Sequence, residues 1–354
     1  MVDATQNILT DRKLRVALVG CGRISRNHLS AIAEHRHQLD LIAICDNDPS
    51  VLSHVAVGHD VKRFLSFEHL LESESIDLAV LCTPSGLHAE QAMLAASKDV
   101  SVMTEKPMAT KYEHGLSMIR SFDQSAGQLF VVKQNRFNPT VKLVKQVIDD
   151  GRLGRIKLFQ SNVYWHRPQT YYDQGSGWRG TWEMDGGALM NQCSHYVDLL
   201  QWLCGPMMDV NCMHSTTRQI EVEDTAVVNL RARSGGLGTI AVTMLTYPRN
   251  LEGSITILGE TGSIKLSGSA LNKIEIWELS ESGANDINVD EYNYQIDSVY
   301  GNGHSLYYEE VISAMRGTST CSVSGREGIK SLELLTAMYL SARDRRVVGL
   351  PLSL

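Results

Sequence analysis

The sequence lacks the features that mark several large classes of protein. No apolar run approaches the roughly 18 residues that a membrane-spanning helix needs, and the start, MVDATQNILTDRK, has no apolar middle of the kind that signal peptides carry. No run of Lys and Arg is present, and the chain is mildly acidic, with a formal net charge of −7 and a pI near 5.9. We therefore expect no membrane partner and no nucleic-acid partner.

Cysteine is scarce and follows no pattern. The seven cysteines are Cys21, Cys45, Cys82, Cys193, Cys204, Cys212 and Cys321. Their number is odd, they are scattered, and no two of them form a CxxC pair. This distribution favours reduced, buried thiols, as in a cytoplasmic protein, and we predict no metal site.

What is present is the composition of an ordinary globular protein. The chain has 354 residues, of which 43% are hydrophobic and 21% charged. At roughly 100–200 residues per domain this length predicts two domains, or one very large one, with ample material for at least one sizeable core. The exclusions above leave an enzyme of the cell interior as the default expectation.

The first half of the chain alternates strand and helix patterns. Short runs rich in β-branched and apolar residues occur at 14–19, 39–46, 76–84, 100–107 and 128–134. Amphipathic stretches at 22–36, 67–74, 88–99 and 112–127 lie between them. Strands separated by helices of this length predict right-handed βαβ units and a parallel sheet.

From about residue 155 the pattern changes. Strand-like stretches at 156–165, 225–233, 237–245, 253–259 and 272–279 follow one another through short turns that carry Gly or Asn. Helices are predicted at 187–203, 305–316 and 325–345. This order predicts an antiparallel sheet in a second α/β domain.

A glycine-rich turn follows the first strand. Gly20 and Gly22 precede Ser25, which is small enough to keep the next helix close to the strand, and Asp46 ends the second strand. The glycines would let the backbone approach a pyrophosphate at a helix N-terminus, and the carboxylate would accept hydrogen bonds from a ribose diol. The alternative is a glycine turn and a surface aspartate that bind no ligand. The complete order of strand, turn, helix and acid favours a site for NAD.

Two further segments carry groups suited to proton transfer. Lys106 lies at the end of a predicted parallel strand, where ligands of such sheets bind, so it could polarise a hydroxyl or take its proton. Its alternative is a surface lysine paired with Glu105. The segment after Gly186 and Gly187 would place Asn191, Ser194, His195 and Asp198 on one helix face, with His195 as a general base. Its alternative is a hydrogen-bonded structural histidine.

The order of these motifs resembles the Gfo/Idh/MocA family of nicotinamide-dependent sugar and polyol dehydrogenases. The resemblance runs from Leu14 to about Arg346 and rests on GCGRIS (20–25), Asp46, CTPSGLH (82–88), EKP (105–107), QNRFNP (134–139), the segment from Gly186 to His195 and LEGSITILGETGSIKL (251–266). It implies an N-terminal Rossmann domain, predicted at 12–134. It also implies a C-terminal α/β domain, predicted at 135–346, whose open, mostly antiparallel sheet commonly forms the oligomer interface, so we expect a homo-tetramer or homo-dimer.

The resemblance also assigns site residues. The family lysine falls on Lys106 and the family histidine on His195. Many members carry Asp four residues before that histidine, but here the residue is Asn191, which can orient a hydroxyl but cannot relay a proton. Cofactor contacts are expected from Gly20, Gly22, Arg23, Ile24, Asp46, Thr83, Pro84, His88, Glu105, Lys106 and Gln134. Substrate contacts are expected from Lys106, Asn135, Arg136, Trp178, Arg179, Asn191 and His195.

Residues 171–200 and 244–260 look most like one subgroup of that family. Its members oxidise C3 of UDP-N-acetylglucosaminuronic acid in the synthesis of bacterial surface polysaccharides. An anionic UDP-uronate fits a basic stretch, and 133–179 carries Lys133, Arg136, Lys142, Lys145, Arg152, Arg155, Lys157, Arg167 and Arg179. The subgroup also suggests 2-oxoglutarate as the acceptor that recycles the cofactor. Another sugar or inositol dehydrogenase, an NAD-using glycosidase and a non-catalytic sensor of nucleotide sugars stay open.

Overall fold

The computed structural model describes residues 8–9, 11–174, 177–280, 287–296, 301 and 303–353. The chain forms two compact units. The first unit comprises the residues up to Val132 together with His304–Leu332, and the second unit comprises Lys133–Gly303 and Glu333–Leu354. Residues 304–332 thus belong to the first unit by their contacts, whereas the predicted division placed them in the second domain.

The first unit contains a six-stranded sheet in which every strand pair is parallel. The elements are β1 (Leu14–Val19), α1 (Ser25–Glu34), β2 (Leu39–Cys45), α2 (Pro49–His54), β3 (Lys62–Phe64), α3 (Phe67–Ser73), β4 (Leu78–Leu81), α4 (His88–Ala96), β5 (Ser101–Thr104), α5 (Tyr112–Asp123) and β6 (Leu129–Val131). The strand order is β3-β2-β1-β4-β5-β6. This is the doubly wound order of dinucleotide-binding sheets, which confirms the predicted parallel sheet.

The strands of this sheet are short and buried because helices cover them. All residues of β4 and β5 are buried, as expected for strands with no solvated face. Two helices begin with side-chain caps. At α2, which the sequence patterns missed, Asp48 accepts a hydrogen bond from Ser50 N (2.8 Å). At α3, which was predicted, Ser66 accepts from His69 N (3.3 Å). Both caps fix where the chain leaves an extended segment.

The second unit contains an eight-stranded sheet with the order β13-β12-β11-β7-β10-β9-β8-β14. Its elements are α6 (Pro139–Asp149), β7 (Ile156–Tyr164), α7 (Gln169–Asp173), α8 (Ser194–Cys204), β8 (Met207–Ser215), β9 (Thr225–Ala232), β10 (Leu237–Thr243), β11 (Glu252–Gly259), β12 (Gly262–Ser267) and β13 (Lys273–Leu279). Strands β7 and β10 run parallel, and the other neighbouring pairs are antiparallel. The prediction of a mostly antiparallel second sheet is confirmed.

Three elements close the chain: α9 (Gly303–Met315), α10 (Gly325–Asp344) and β14 (Val348–Gly349). The stretch between the two helices belongs to the first unit because it completes an exposed sheet edge. Val131 N donates to Val323 O (2.9 Å), and Phe130 forms a bridge with Ser324. Strand β14 pairs with β8 in the second unit.

Two properties bear on the exclusions drawn from the sequence. Among the described residues, no helix combines the length and the apolar character needed to cross a membrane. The seven cysteines are free thiols, and all except Cys321 are buried. The thiols therefore act in this fold as small apolar side chains.

Candidate active site

The glycine-rich turn joins β1 to α1 at the carboxyl edge of the parallel sheet. Gly20 has a φ of +89°, and a Cβ at this position would lie 2.7 Å from the backbone of Cys82 and Thr83. A Cβ at Gly22 would meet no described atom within 4 Å. The Ser25 hydroxyl donates to Gly22 O (2.6 Å) where the helix begins. The turn is therefore pressed against the neighbouring strand on one side and leaves room for a phosphate group on the other.

The carboxylate of Asp46 lies directly beside this turn. It accepts hydrogen bonds from Cys21 N (2.8 Å) and Asp48 N (3.0 Å) and is half-buried. Ile24 precedes α1 at its N-cap position, next to the exposed Arg23. The open turn, the helix N-terminus and the fixed carboxylate fit the pyrophosphate and ribose of NAD.

The loops that follow β4 and β5 are tied together by a buried histidine. His88 is predicted to contact the cofactor, but both of its ring nitrogens face backbone oxygens: Nε2 lies 2.9 Å from Thr83 O and Nδ1 lies 2.9 Å from Pro107 O. Burial lowers the pKa of His88. Thr83 in turn donates its hydroxyl to Gln91 Oε1 (2.6 Å), and Pro84 starts a 3₁₀ turn. The histidine thus fixes the spacing of the two loops.

Glu105 is buried among two histidines that the sequence analysis missed. Its Oε1 lies 3.1 Å from His28 Nε2 and 4.0 Å from His304 Nε2, while His28 Nδ1 lies 2.9 Å from Tyr308 OH. Burial by itself would raise the pKa of Glu105, but His28, His304 and Lys106 lower it to about 2. Its Oε2 accepts from Lys106 N (3.1 Å). The carboxylate therefore anchors the backbone from which the half-buried Lys106 side chain extends.

In the second unit, a buried ion pair holds the start of α8. Asp198 Oδ1 lies 3.0 Å from Lys133 Nζ, and Arg136 binds both carboxylate oxygens at 2.8 and 2.7 Å. Burial would raise the pKa of Asp198, but the two cations lower it to about 2. The guanidinium also lies over the Trp202 ring (5.3 Å). Arg136 was predicted to bind substrate, and that role would require it to share its guanidinium with this carboxylate.

His195 lies half-buried in the first turn of α8. Gln134 Nε2 is 3.3 Å from His195 Nε2, and because the amide nitrogen only donates, this ring nitrogen accepts. Gln134 Oε1 and Asn135 Oδ1 are buried without a hydrogen-bond partner among the described residues. Buried acceptors of this kind are uncommon in folded proteins and fit contacts with a polar ligand. His195 Nε2 therefore lies where a ring nitrogen can accept a hydrogen bond, as a general base must.

The helix predicted over 187–203 begins seven residues later, at Ser194. Gly186 has a φ of +82°, and residues 188–192 form turns. Asn191 therefore lies before the helix, and its side-chain amide donates to Asp185 Oδ1. Asp185 Oδ2 accepts from Gly180 N (2.8 Å). The sequence analysis missed Asp185, which gave no signal except its place just before the two glycines.

Two arginines share one tyrosine ring. Arg167 lies 5.4 Å and Arg179 lies 5.1 Å from the centroid of Tyr171, and Arg179 also covers Trp178 (4.8 Å). No carboxylate within the described parts of the chain lies within ion-pair distance of either guanidinium. By contrast, Lys133, Arg136, Lys145, Arg155 and Lys157 all have carboxylate partners. The arginine pair is an uncompensated positive patch suited to an anion.

Comparison with known proteins identifies the family. Residues 14–133 match the NAD-binding Rossmann fold of an oxidoreductase family, and residues 145–350 match the C-terminal alpha/beta domain of the same family. The chain belongs to the Gfo/Idh/MocA oxidoreductase family. One relative in this family, the D-apiose dehydrogenase of Paraburkholderia graminis, is 24% identical over 369 residues, covering 98% of this chain and 94% of that protein.

Two solved structures of Gfo/Idh/MocA dehydrogenases are much more similar. The WlbA dehydrogenase from Bordetella pertussis, in complex with NADH and UDP-GlcNAcA, is 51% identical, with a TM-score of 0.94 over 98% of this chain and 100% of that chain. The WlbA dehydrogenase from Chromobacterium violaceum, with the same two ligands, is 50% identical, with a TM-score of 0.93 over 99% of this chain and 100% of that chain. The predicted membership of the family is confirmed.

Proposed function

We propose that this protein oxidises the C3 hydroxyl of UDP-N-acetyl-D-glucosaminuronic acid to the 3-keto sugar, with NAD as the oxidant. The observation that carries the proposal is the 51% identity, over nearly the full chain, to a dehydrogenase that binds NADH and UDP-GlcNAcA. The turn of Gly20 and Gly22 beside Asp46 supports NAD, because a carboxylate favours a free ribose diol over a 2′-phosphate.

The oxidation needs one group that takes the hydroxyl proton and one that stabilises the alkoxide. His195 takes the proton at Nε2, the ring nitrogen 3.3 Å from Gln134 Nε2, with the substrate hydroxyl replacing the Gln134 amide as its hydrogen-bond donor. Lys106 stabilises the developing negative charge from the end of β5, where Glu105 holds its backbone. NAD, held by the turn of Gly20 and Gly22 beside Asp46, would supply the hydride acceptor. Asn191, held by Asp185, orients the substrate without relaying a proton.

The nucleotide sugar is polyanionic, and the second unit offers cations for it. Arg167 and Arg179 flank Tyr171 without a described carboxylate partner, so an anionic diphosphate or carboxylate would relieve their mutual repulsion. Trp178 lies against Arg179 and extends the patch with an aromatic surface. Asn135, whose buried Oδ1 has no hydrogen-bond partner in the described parts of the chain, accepts a hydrogen bond from a sugar hydroxyl.

The proposal also covers cofactor recycling, the fate of the product, the cellular compartment and the assembly of the chain. Reduced cofactor is recycled in place by 2-oxoglutarate, and the product serves the synthesis of bacterial surface polysaccharides. The free thiols fit a reducing compartment, the cytoplasm. The chain assembles as a homo-tetramer or homo-dimer through the open face of the second unit's sheet.

One experiment separates this proposal from its alternatives. The purified protein is incubated with UDP-N-acetylglucosaminuronate, NAD and 2-oxoglutarate, and the products are analysed by mass. A product lighter by two hydrogens, together with 2-hydroxyglutarate, supports the dehydrogenase. Release of free sugar would favour the NAD-using glycosidase, and an unchanged substrate that nevertheless binds would favour the sensor. Omitting 2-oxoglutarate should limit the yield to about one turnover per bound NAD.

A further inference from the structure

The turn that leads to Asn191 and His195 is held by two residues from distant parts of the chain. Ala188 N donates to Glu223 O (2.9 Å), Leu189 N donates to Glu223 Oε1 (2.8 Å), and Met190 N donates to Tyr339 OH (3.2 Å). Tyr339 OH donates in turn to Glu223 Oε1 (3.0 Å). Three successive backbone N–H groups are thus satisfied by one carboxyl-bearing residue and one phenol.

The two glycines of this segment fit the same arrangement. A Cβ at Gly187 would overlap the Glu223 carboxyl group, so the carboxyl lies flat against a backbone that only glycine allows. A Cβ at Gly186, which has a φ of +82°, would lie 2.6 Å from Met190 Cβ. Both glycines are therefore explained by the close approach of the turn to its partners, and neither needs a ligand to account for it.

The turn itself is closed to water, and of its partners Glu223 is buried while Tyr339 is half-buried. Leu189, Met190 and Glu223 are all buried, and the Ala188 side chain is buried too. The same turn supplies the carbonyl groups that receive the next two bonds: Asn191 N donates to Gly187 O (2.9 Å) and Cys193 N donates to Ala188 O (2.8 Å). Because a buried N–H without a partner is costly, removing an acceptor should displace the backbone that carries Asn191 and starts the helix of His195.

We infer that Glu223 and Tyr339 are positioning residues that set the placement of Asn191 and His195 by holding the backbone of residues 188–190. Neither side chain contacts the substrate in this inference. Its kinetic part rests on the proposed function, because it assumes that His195 and Asn191 act on the sugar. Its structural part, the protection of the three backbone N–H groups, stands without that assumption.

The test compares a disruptive variant with a conservative one. Tyr339→Phe removes the acceptor for Met190 N and one donor to Glu223. We expect kcat to fall about 10- to 100-fold, as small displacements of reacting groups do, while KM for the UDP-sugar and the Kd of NADH stay within about 3-fold. Hydrogen exchange of a peptide spanning 186–195 should become faster. Glu223→Gln keeps an amide oxygen in place of Oε1, so its kcat should stay within about 3-fold of the parent enzyme.

Asp224→Asn is the matched control. Asp224 is a fully buried carboxylate at the next position of the chain, but it accepts hydrogen bonds from Thr217 N (2.8 Å) and Arg218 N (2.7 Å) in another turn. This variant should lower the melting temperature without a change in kcat or in exchange of 186–195. The Asp224→Asn enzyme therefore shows how much a loss of stability alone changes kcat and the exchange of residues 186–195.

Three outcomes would overturn the inference. One is a Tyr339→Phe enzyme, folded at the assay temperature, with parental kcat and parental exchange of 186–195. Another is a folded Glu223→Gln enzyme as impaired as Tyr339→Phe, which would point to a role of the carboxyl proton or charge. The last is an Asp224→Asn enzyme with the same loss of kcat. If the parent protein does not oxidise the UDP-sugar at all, the proposed function fails, and the exchange data still decide whether the two residues hold the turn.

Discussion

Two buried carboxyl groups of the second unit have pKa values that are shifted in opposite directions. Asp198 has a pKa lowered to about 2, since Lys133 and Arg136 outweigh the effect of burial. Glu223 has a pKa raised to about 7, because burial dominates and its partners are the neutral donors Leu189 N and Tyr339 OH. The depth of the two side chains is nearly the same, so the nature of the partners decides the ionisation.

Removal of Asp198 should be strongly destabilising. Asp198→Ala leaves the buried cations of Lys133 and Arg136 without their counter-charge, and we expect the free energy of unfolding to fall by about 3–5 kcal/mol. Urea denaturation followed by circular dichroism measures it. Asp149→Ala removes a carboxylate that pairs with Lys145 on an exposed helix face and should change stability by less than about 0.5 kcal/mol. Equal losses in the two variants would contradict the buried-pair explanation.

The raised pKa of Glu223 predicts a pH dependence of stability. The folded state holds the proton up to a pKa of about 7, whereas the unfolded chain releases it near the ordinary value of 4.5. The unfolded state therefore binds fewer protons between these values, and stability falls as pH rises from about 4.5 to 7, by roughly 3 kcal/mol for this group. The change in unfolding free energy between pH 5 and pH 8 should be smaller in Glu223→Gln than in the parent, by roughly 3 kcal/mol. An identical pH dependence in both proteins would sink the prediction.

The two residues proposed to act on the C3 hydroxyl have matched controls on the surface. His195→Asn and Lys106→Ala should each lower kcat by about two or more powers of ten, because they remove the proton acceptor and the cation that stabilises the alkoxide. NADH affinity, followed by fluorescence, should change little. His59→Asn and Lys98→Ala alter exposed residues of the same types and should leave kcat unchanged. Near-parental turnover of the Lys106→Ala enzyme would remove that residue from the mechanism.

Secondary structure followed the local pattern most closely where strands are buried on both faces. Strand β1 has the predicted bounds, and β2, β4, β5 and β6 lie inside the predicted runs, whereas the short edge strand β3 was not predicted. The helix at 187–203 was wrong over its first half, because the N–H groups of residues 188–190 bond to Glu223 and Tyr339. An apolar, helix-like pattern cannot show that such partners exist, since they come from other parts of the chain.

The turn between β1 and α1 allows a prediction at the scale of one element. Gly20→Ala places a methyl group 2.7 Å from backbone atoms of Cys82 and Thr83 at a φ of +89°, so the turn must move away from β4. We expect the Kd of NADH, measured by fluorescence titration, to rise at least about 10-fold. Gly151→Ala also alters a glycine with positive φ (+72°) but meets no described atom within 4 Å. It should cost about 1 kcal/mol of stability and leave NADH affinity unchanged.

On the scale of the whole molecule, the second sheet has an exposed apolar face. Met213 lies directly opposite Val227 on the neighbouring strand, and Leu237 lies opposite Leu158; all four side chains are exposed. Residues that face each other across strands share one side of a sheet, and Leu237 also lies opposite Arg231, which is on the same side of β9 as Val227, so both apolar pairs lie on one face. An exposed patch of this kind is typical of a protein–protein interface.

The double variant Met213→Glu/Val227→Glu tests whether this face joins copies of the chain. Charges placed in an apolar interface are costly to bury, so the parent should elute as a tetramer or dimer and the variant as a smaller species in size-exclusion chromatography with light scattering. Leu65→Glu, at an exposed apolar residue of the first unit, should leave the assembly unchanged. A monomeric parent protein, or an unchanged assembly in the double variant, would refute the proposed interface.

The sequence by itself determined the two sheets, the glycine-rich turn with Asp46 and the family. These follow from local periodicity and from motifs within one βαβ unit, where neighbouring residues decide the backbone conformation. Only the tertiary structure decided which buried charges meet. Arg136 and Asp198 are 62 residues apart in the sequence, and Glu223 and Tyr339 are 116 apart. Arg167 and Arg179 both lie over the ring of a third residue, Tyr171. Burial selects such partners, because each buried polar group must form a hydrogen bond with a donor or acceptor that the fold places near it.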